Sequence, residues 1–247
     1  MNNIIYSAAS GMLFRQRAMN ITGNNLANIE TAGFKSSDLV MSTFGEYITN
    51  RTDSDGTTKI GSRSYGTEAQ VVYSNFMQGS IYSTGRSLDL ALNGDGFFTL
   101  MNADGVARLT RNGSFFIDDE GFLINDAGSY VMGQNGRISI RDVSDISVNE
   151  QGVVFSGRDV SDVLLITVPE ETSGIERFEN GELSMPEVNM LVFSGKIIQG
   201  SLEHSNVSYV EEMTSMIEDS RAFQACSQIV RMADQIMKKT VNEIGQL

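Results

Sequence analysis

Apolar residues recur every seven positions at both ends of this chain. Ile5, Met12, Met19 and Leu26 hold the spacing near the N-terminus, and Met216, Phe223, Val230, Met237 and Ile244 hold it near the C-terminus. Such a row lies along one side of an α-helix and drives helices to pack beside each other as a coiled coil. The two ends are therefore expected to meet each other, or to meet copies from neighbouring chains. The middle does not share the pattern and must supply a core of its own.

The N-terminal row predicts a helix over residues 2–30. It is a thin seam: Ala8 and Ile29 support it at companion positions, but Arg15 and Thr22 fall there too. Gly11, Asn20, Asn24, Asn25 and Asn28 are weak helix formers, so this helix needs a partner. Gly33 is placed to act as its C-cap. The C-terminal row predicts a longer helix over 208–246. Ser208 and Glu211 make an S-x-x-E capping box, and carboxylates lie early (Glu211, Glu212, Glu218, Asp219) while Arg231, Lys238 and Lys239 lie late, as the helix dipole favours. Cys226, Ala233, Thr240 and Leu247 occupy the companion positions, with Asp219 the exception. Spacing alone also fits an amphipathic helix packed on its own β-domain.

Between the helices the chain changes character twice. Ser, Thr, Asp and Gly dominate from Thr49 to Gly66, which predicts a loop or extended linker. Asp53-Ser54-Asp55-Gly56 has the start of a calcium loop but lacks its third ligand and its distal Glu. Beyond it, turn signals recur at Asn93-Gly94-Asp95-Gly96, Asp104-Gly105, Asn112-Gly113, Glu120-Gly121, Ala127-Gly128, Asn135-Gly136 and Gln151-Gly152. They separate short apolar runs such as Phe97 to Leu100, Phe115 to Ile117, Arg137 to Ile140 and Val163 to Val168. This pattern predicts antiparallel strands in a barrel or sandwich. The expected organisation is an N-terminal helix (1–33), a linker (34–70), a central β-domain (71–205) and a C-terminal helix (206–247). The fold class is mainly β with terminal helices that form a coiled coil.

Composition excludes several functions. The formal net charge of −13 is wrong for a nucleic-acid partner, which needs clustered Lys and Arg. One cysteine, Cys226, precludes an internal disulfide. No apolar run approaches the ~18 residues of a membrane helix, so the chain is not expected to be an integral membrane protein. Arg15 and Arg17 interrupt any apolar core of a cleavable signal peptide. The single histidine, His204, would have to serve any serine triad, yet no G-x-S-x-G elbow occurs. Gly94-x-Gly96 runs into Phe97 and Phe98 rather than a helix, which removes a dinucleotide fingerprint. Asp118-Asp119 sits at a turn, where carboxylates are ordinarily solvated. No catalytic, metal or cofactor constellation emerges, and the chain is read as a non-enzyme.

Asn24-Asn25-Leu26-Ala27-Asn28 followed by Thr31-Ala32-Gly33-Phe34-Lys35 resembles the N-terminal signature of bacterial flagellar rod and hook proteins. Ser87 to Phe98 (SLDLALNGDGFF), Thr110 to Phe115 (TRNGSF) and Asp119 to Leu123 (DEGFL) resemble that family's β-domain. Gly200 to Val207 (GSLEHSNV) and Ser220-Arg221-Ala222-Phe223 resemble its C-terminal lead-in and helix. The resemblance implies a structural subunit of the flagellar basal body, most like a rod protein with a β-domain, that polymerises through its terminal helices into a torque-bearing shaft. It implies self-association, contact with other axial proteins, and export through the flagellar type III apparatus without a cleavable signal. A hook-type subunit is the alternative within the family. Outside it, the alternative is a ligand-binding β-domain on a helical stalk.

Overall fold

The computed structural model describes residues 2–43, 47–53, 56–63, 67–141, 145–171, 174–178, 180–185 and 189–244. The chain divides into two compact units. The first comprises Met1–Leu26, Ser37–Tyr73 and Ser208–Leu247, and the second Ala27–Ser36 and Ser74–Val207.

The first unit holds the terminal helices, α1 (Asn2–Ala27) and α2 (Tyr209–Ile244). At 1.5 Å per residue they are about 39 and 54 Å long. Ser208 is the residue before α2, and its carbonyl accepts the Glu212 N–H at 3.0 Å, the first bond of the helical ladder. Because α2 continues to Ile244, Lys238 and Lys239 stand more than a turn short of its end and its last turn has no basic residue. Helix α1 stops at Ala27, short of the expected residue 30, and turns follow.

The expected linker over 34–70 is corrected by β1 (Ser37–Thr43), β2 (Tyr47–Asp53), β3 (Gly56–Arg63) and β4 (Thr67–Ser74). Strands β2 and β3 form an antiparallel pair from Tyr47↔Arg63 to Asp53↔Gly56, and β1 pairs with β4. Pairing of polar, Thr-rich strands satisfies the backbone without needing a hydrophobic face, so alternation could not announce it. The Asp53 to Gly56 turn lies outside the described residues.

The second unit is β-structure throughout. Its strands are β5 (Ile81–Ser83), β6 (Leu90–Asn93), β7 (Phe97–Met101), β8 (Ala107–Thr110), β9 (Phe116–Ile117), β10 (Leu123–Ile124), β11 (Tyr130–Gly133) and β12 (Gly136–Arg137). They continue with β13 (Ile146–Val148), β14 (Val153–Ser156), β15 (Asp159–Val163), β16 (Ile166–Pro169), β17 (Leu183–Ser184), β18 (Met190–Leu191), β19 (Lys196–Gln199) and β20 (Ser201–Glu203). The main sheet runs β17-β8-β7-β11-β10-β9, with β12 beside β11, β16 beside β7 and β18 beside β16. Smaller sheets are β13-β14-β15, β19-β6 and β20-β5, and every register is antiparallel. The main sheet keeps two free ends, so no closed barrel forms among the described residues. Strand β7 is its centre: Phe98 and Leu100 are fully buried with Leu92, Phe115, Val131, Ile138 and Val154.

Asp104-Gly105, Glu120-Gly121, Ala127-Gly128, Asn135-Gly136 and Gln151-Gly152 turn antiparallel hairpins. Asn93-Gly94 and Asn112-Gly113 do not. After β6 the chain crosses away from it, because β6 pairs with β19. Gly113 is needed for a close approach: a Cβ there would lie 1.7 Å from the Leu90 carbonyl oxygen. The apolar run Val163 to Val168 is also divided. Strand β15 ends at Val163, Leu164 turns into the core, and Ile166 begins β16 in another sheet.

Candidate assembly site

In the helical unit the two charged interruptions of the heptad rows meet. Arg15 Nη1 lies 2.6 Å from Asp219 Oδ1, and Asp219 is the one buried residue among the described side chains of α2. A charged pair in an otherwise apolar seam is favourable in one register only, so it fixes how two helices line up. Further contacts agree on an antiparallel alignment. A Cβ built on Gly11 would be 3.4 Å from Cys226 Sγ, and one on Gly23 would be 3.9 Å from Met216 Cε.

Asn25, only 1% exposed, ties three elements together. Its Nδ2 donates to the Ser37 carbonyl and to Glu212 Oε1, both at 2.9 Å, while its Oδ1 accepts the Ser37 N–H at 3.0 Å. The amide thus pairs with β1 as a strand would and reaches α2 with its second N–H. Burial pushes the Glu212 carboxyl above the usual range, and the charges of Asp38 and Glu211 add to the rise against hydrogen bonds from Asn25 and Thr22. A raised folded-state value favours the neutral acid, so its contribution to stability is full below the unfolded value and lost as pH rises through the folded one. Glu212→Gln keeps an acceptor for Asn25 without the charge. It is expected to raise the helical melting midpoint by a few degrees at neutral pH, with the gain vanishing near pH 3. Circular-dichroism melts at both pH values check this, and a lower midpoint at neutral pH would refute it.

The predicted seam residues are distributed as follows. Ile5, Met12, Met19 and Leu26 are half-buried, and the buried positions of α1 are Ala8, Phe14, Thr22 and Asn25 on adjoining rows. Met216, Phe223, Val230 and Met237 are all half-buried, as are Cys226, Ala233 and Thr240. The side chain of Ile244 lies outside those described. Of the signature residues, Asn24, Ala27 and Thr31 are exposed and Asn28 is half-buried, its carbonyl accepting the Thr31 N–H at 3.1 Å.

The second unit brings the rest of the N-terminal signature against the C-terminal one. Gly33, at φ 68°, is not the helix cap it was expected to be. Its N–H donates to the Glu203 carbonyl at 2.8 Å, and a Cβ there would sit 2.3 Å from the Arg111 carbonyl carbon. Both the left-handed backbone and the close approach require glycine. Lys35 follows, fully buried: Nζ donates to Glu203 Oε1 at 2.5 Å and to the Met77 carbonyl at 2.6 Å. Glu203 Oε1 also accepts the Gly79 N–H at 2.8 Å. Arg111, equally buried, lies 3.7 Å from Glu203 Oε2, near enough to attract but too far to hydrogen-bond, and donates through Nη2 to the Gly94 carbonyl at 2.7 Å. Burial pulls Lys35 and Arg111 below their ordinary pKa values, and Glu203 opposes the fall in each. Asn206 completes the junction: its Oδ1 accepts the Ser36 N–H at 2.7 Å and its Nδ2 donates to the Asn75 carbonyl at 2.8 Å. Phe34 is covered by the Arg177 guanidinium, 4.3 Å from its ring centre.

Lys35, Arg111, Glu203, Arg15 and Asp219 were not picked out as site residues by sequence. The signal for the last two was their breach of the heptad rows. His204 is exposed and stacks on Tyr82 at 4.0 Å. Among the described residues, no His, Cys, Asp and Glu cluster could hold a metal, and no helix is long and apolar enough to cross a membrane.

Known families match three stretches. Residues 5–35 match the flagella basal body rod protein family, 91–185 the flagellar hook protein FlgE/F/G D1 domain, and 198–243 the flagellar basal body rod FlgEFG protein C-terminal family. Full-length relatives include the flagellar basal-body rod protein FlgG of Bacillus subtilis, 31% identical over 96% of this chain and 97% of its own length. The rod protein FlgF of Caulobacter vibrioides is 31% identical over the whole of both chains. FlgG of Borreliella burgdorferi is 30% identical over 96% of this chain and 97% of its own.

Proposed function

This chain belongs to the flagellar basal-body rod protein family and is a structural subunit of the rod; from that premise we propose that it polymerises through α1 and α2 into the torque-bearing shaft. The observation that carries the reading is the poor burial of the helical unit. Across the described side chains of α2 only Asp219 is buried, while Ile229, Met232, Ile236 and Val241 are exposed, and on α1 so are Tyr6 and Leu13. A 36-residue helix draws its stability from packing an apolar face, and a single neighbour leaves much of this one in water. Stacked copies would cover it.

The heptad residues Ile5, Met12, Met19, Leu26, Met216, Phe223, Val230, Met237 and Ile244 are assigned to the assembly seam. Within the signature from Asn24 to Phe34, Asn25 is assigned to tying α1 to β1 and α2, and Gly33 to the turn that meets Glu203. Contacts between copies must be heterologous, since a shaft grows without closing on itself. The subunit acts without chemistry of its own, and its partners are further copies, other axial proteins of the flagellum and the type III export apparatus that delivers it unfolded. A cryo-electron microscopy map of basal bodies with this chain traced tests the arrangement. Terminal helices of neighbouring copies packed against one another are expected, and copies that touch only through their β units would overturn it.

A further inference from the structure

Among the described residues, the only buried side-chain polar atoms without a hydrogen-bond partner are Nε and Nη1 of Arg111 and Oε2 of Glu203. All three belong to one cluster in the β unit, with Arg111 Nη1 3.7 Å from Glu203 Oε2. From them we infer a binding site for one internal water molecule, held between the guanidinium and the carboxylate. The site lies where the turn through Gly33 and Lys35, the end of β8 and the last strand, β20, converge. The rest of each side chain is already committed. Arg111 Nη2 donates to the Gly94 carbonyl at 2.7 Å, while Glu203 Oε1 accepts Lys35 Nζ at 2.5 Å and the Gly79 N–H at 2.8 Å. These bonds hold the two groups just short of direct contact. A buried donor or acceptor left unpaired costs more than a made bond returns, so three of them in one place call for a common partner.

The donor set selects water. Two N–H groups need an acceptor, and one carboxylate oxygen needs a donor. A halide would accept from Arg111 but would lie against the Glu203 carboxylate. A cation would serve Glu203 but would face the guanidinium and the Lys35 ammonium. Water accepts and donates without adding a charge. Internal waters make about three hydrogen bonds to buried groups that otherwise lack partners, which is the number of atoms on offer here. Two atoms 3.7 Å apart can share a water that sits off the line between them, about 2.9 Å from each. Burial is the largest influence on both Lys35 and Arg111, so a dipole fixed beside them offsets what most disfavours their charge. One trapped water is distinct from access to bulk solvent: the side chains of Arg111 and Glu203 are only 2% and 1% exposed.

Crystals of the full chain, grown with and without sodium bromide, test the site. A solvent peak is expected within about 3.2 Å of Glu203 Oε2 and of Arg111 Nε or Nη1, with no anomalous signal from bromine. A direct hydrogen bond between guanidinium and carboxylate, with no solvent peak, would overturn the site. A bromide at the peak would overturn it too, because the occupant would then be an anion. Nuclear magnetic resonance gives a second readout in solution. In the full chain labelled with nitrogen-15, the Arg111 Nε–H is expected to show dipolar cross-relaxation to the water resonance. Its sign should be opposite in the laboratory and rotating frames, as a long-held water gives. The signal should be lost completely in Arg111→Lys, which has no Nε–H. Through-bond correlation to the Arg111 backbone assigns the proton should that variant fail to fold. An assigned Nε–H without this cross-relaxation in the native chain would overturn the site.

Discussion

Glu203→Ala is expected to destabilise the β unit by about 3–5 kcal/mol, the range for breaking a buried ion pair from one side. Glu203 is the anion in direct contact with Lys35 and nearest to Arg111, Asp95 acting on both more weakly, and both cations are buried. Removing the carboxylate strands an ammonium and a guanidinium out of water and also orphans the Gly79 N–H. The cost is that of uncompensated charge, more than the worth of the pair itself. Urea unfolding followed by tyrosine fluorescence would read it as a large fall in midpoint with an unchanged slope. A double variant, Lys35→Met with Glu203→Leu, removes one charge of each sign and should recover part of the loss, though Arg111 then loses its nearest counter-charge. Glu203→Ala unfolding within about 1 kcal/mol of the native chain would mean that water reaches the cluster and the burial argument fails.

Phe223→Asp is expected to abolish rod assembly and motility while the β unit stays folded. Phe223 is already half-buried within one subunit and, under the proposed polymerisation, is covered further by neighbours. An aspartate there would bring an unpaired charge into an apolar seam, which no stack of copies can repeat without cost. Phe223→Leu keeps the apolar volume and should still assemble, which separates loss of the seam from loss of an aromatic ring. Motility plates and electron microscopy of basal bodies measure the outcome, with β-sheet circular dichroism as the folding control. A motile Phe223→Asp strain would show that this row is not where copies meet.

The two helices were legible because a seven-residue spacing survives any amount of polar decoration around it. Hairpins were legible wherever glycine served its own turn, as at Gly105 and Gly128. They were misleading where glycine served a distant neighbour, as at Gly113 against Leu90, because a sequence shows the missing side chain but not what occupies its place. The strands between Ser37 and Ser74 carry little apolar alternation and read as linker. The Lys35–Glu203–Arg111 cluster was least visible of all: isolated charges read as solvated by default, and these three are far apart in the chain. Arg15 and Asp219 were visible singly as breaks in their rows. Their pairing became readable only once the register of the helices was known.

The Lys35–Glu203 bond has a consequence for timing. It joins residues 168 positions apart, and the strand that carries Glu203 is the last of the β unit. A chain emerging N-terminus first can form its hairpins one by one, but the turn through Gly33 and Lys35 has no counter-ion until residue 203 is free. Closure is thus reserved for a nearly complete chain, and such long-range contacts form slowly. Delay of this kind leaves the β unit open at this point until almost the whole chain is free to fold.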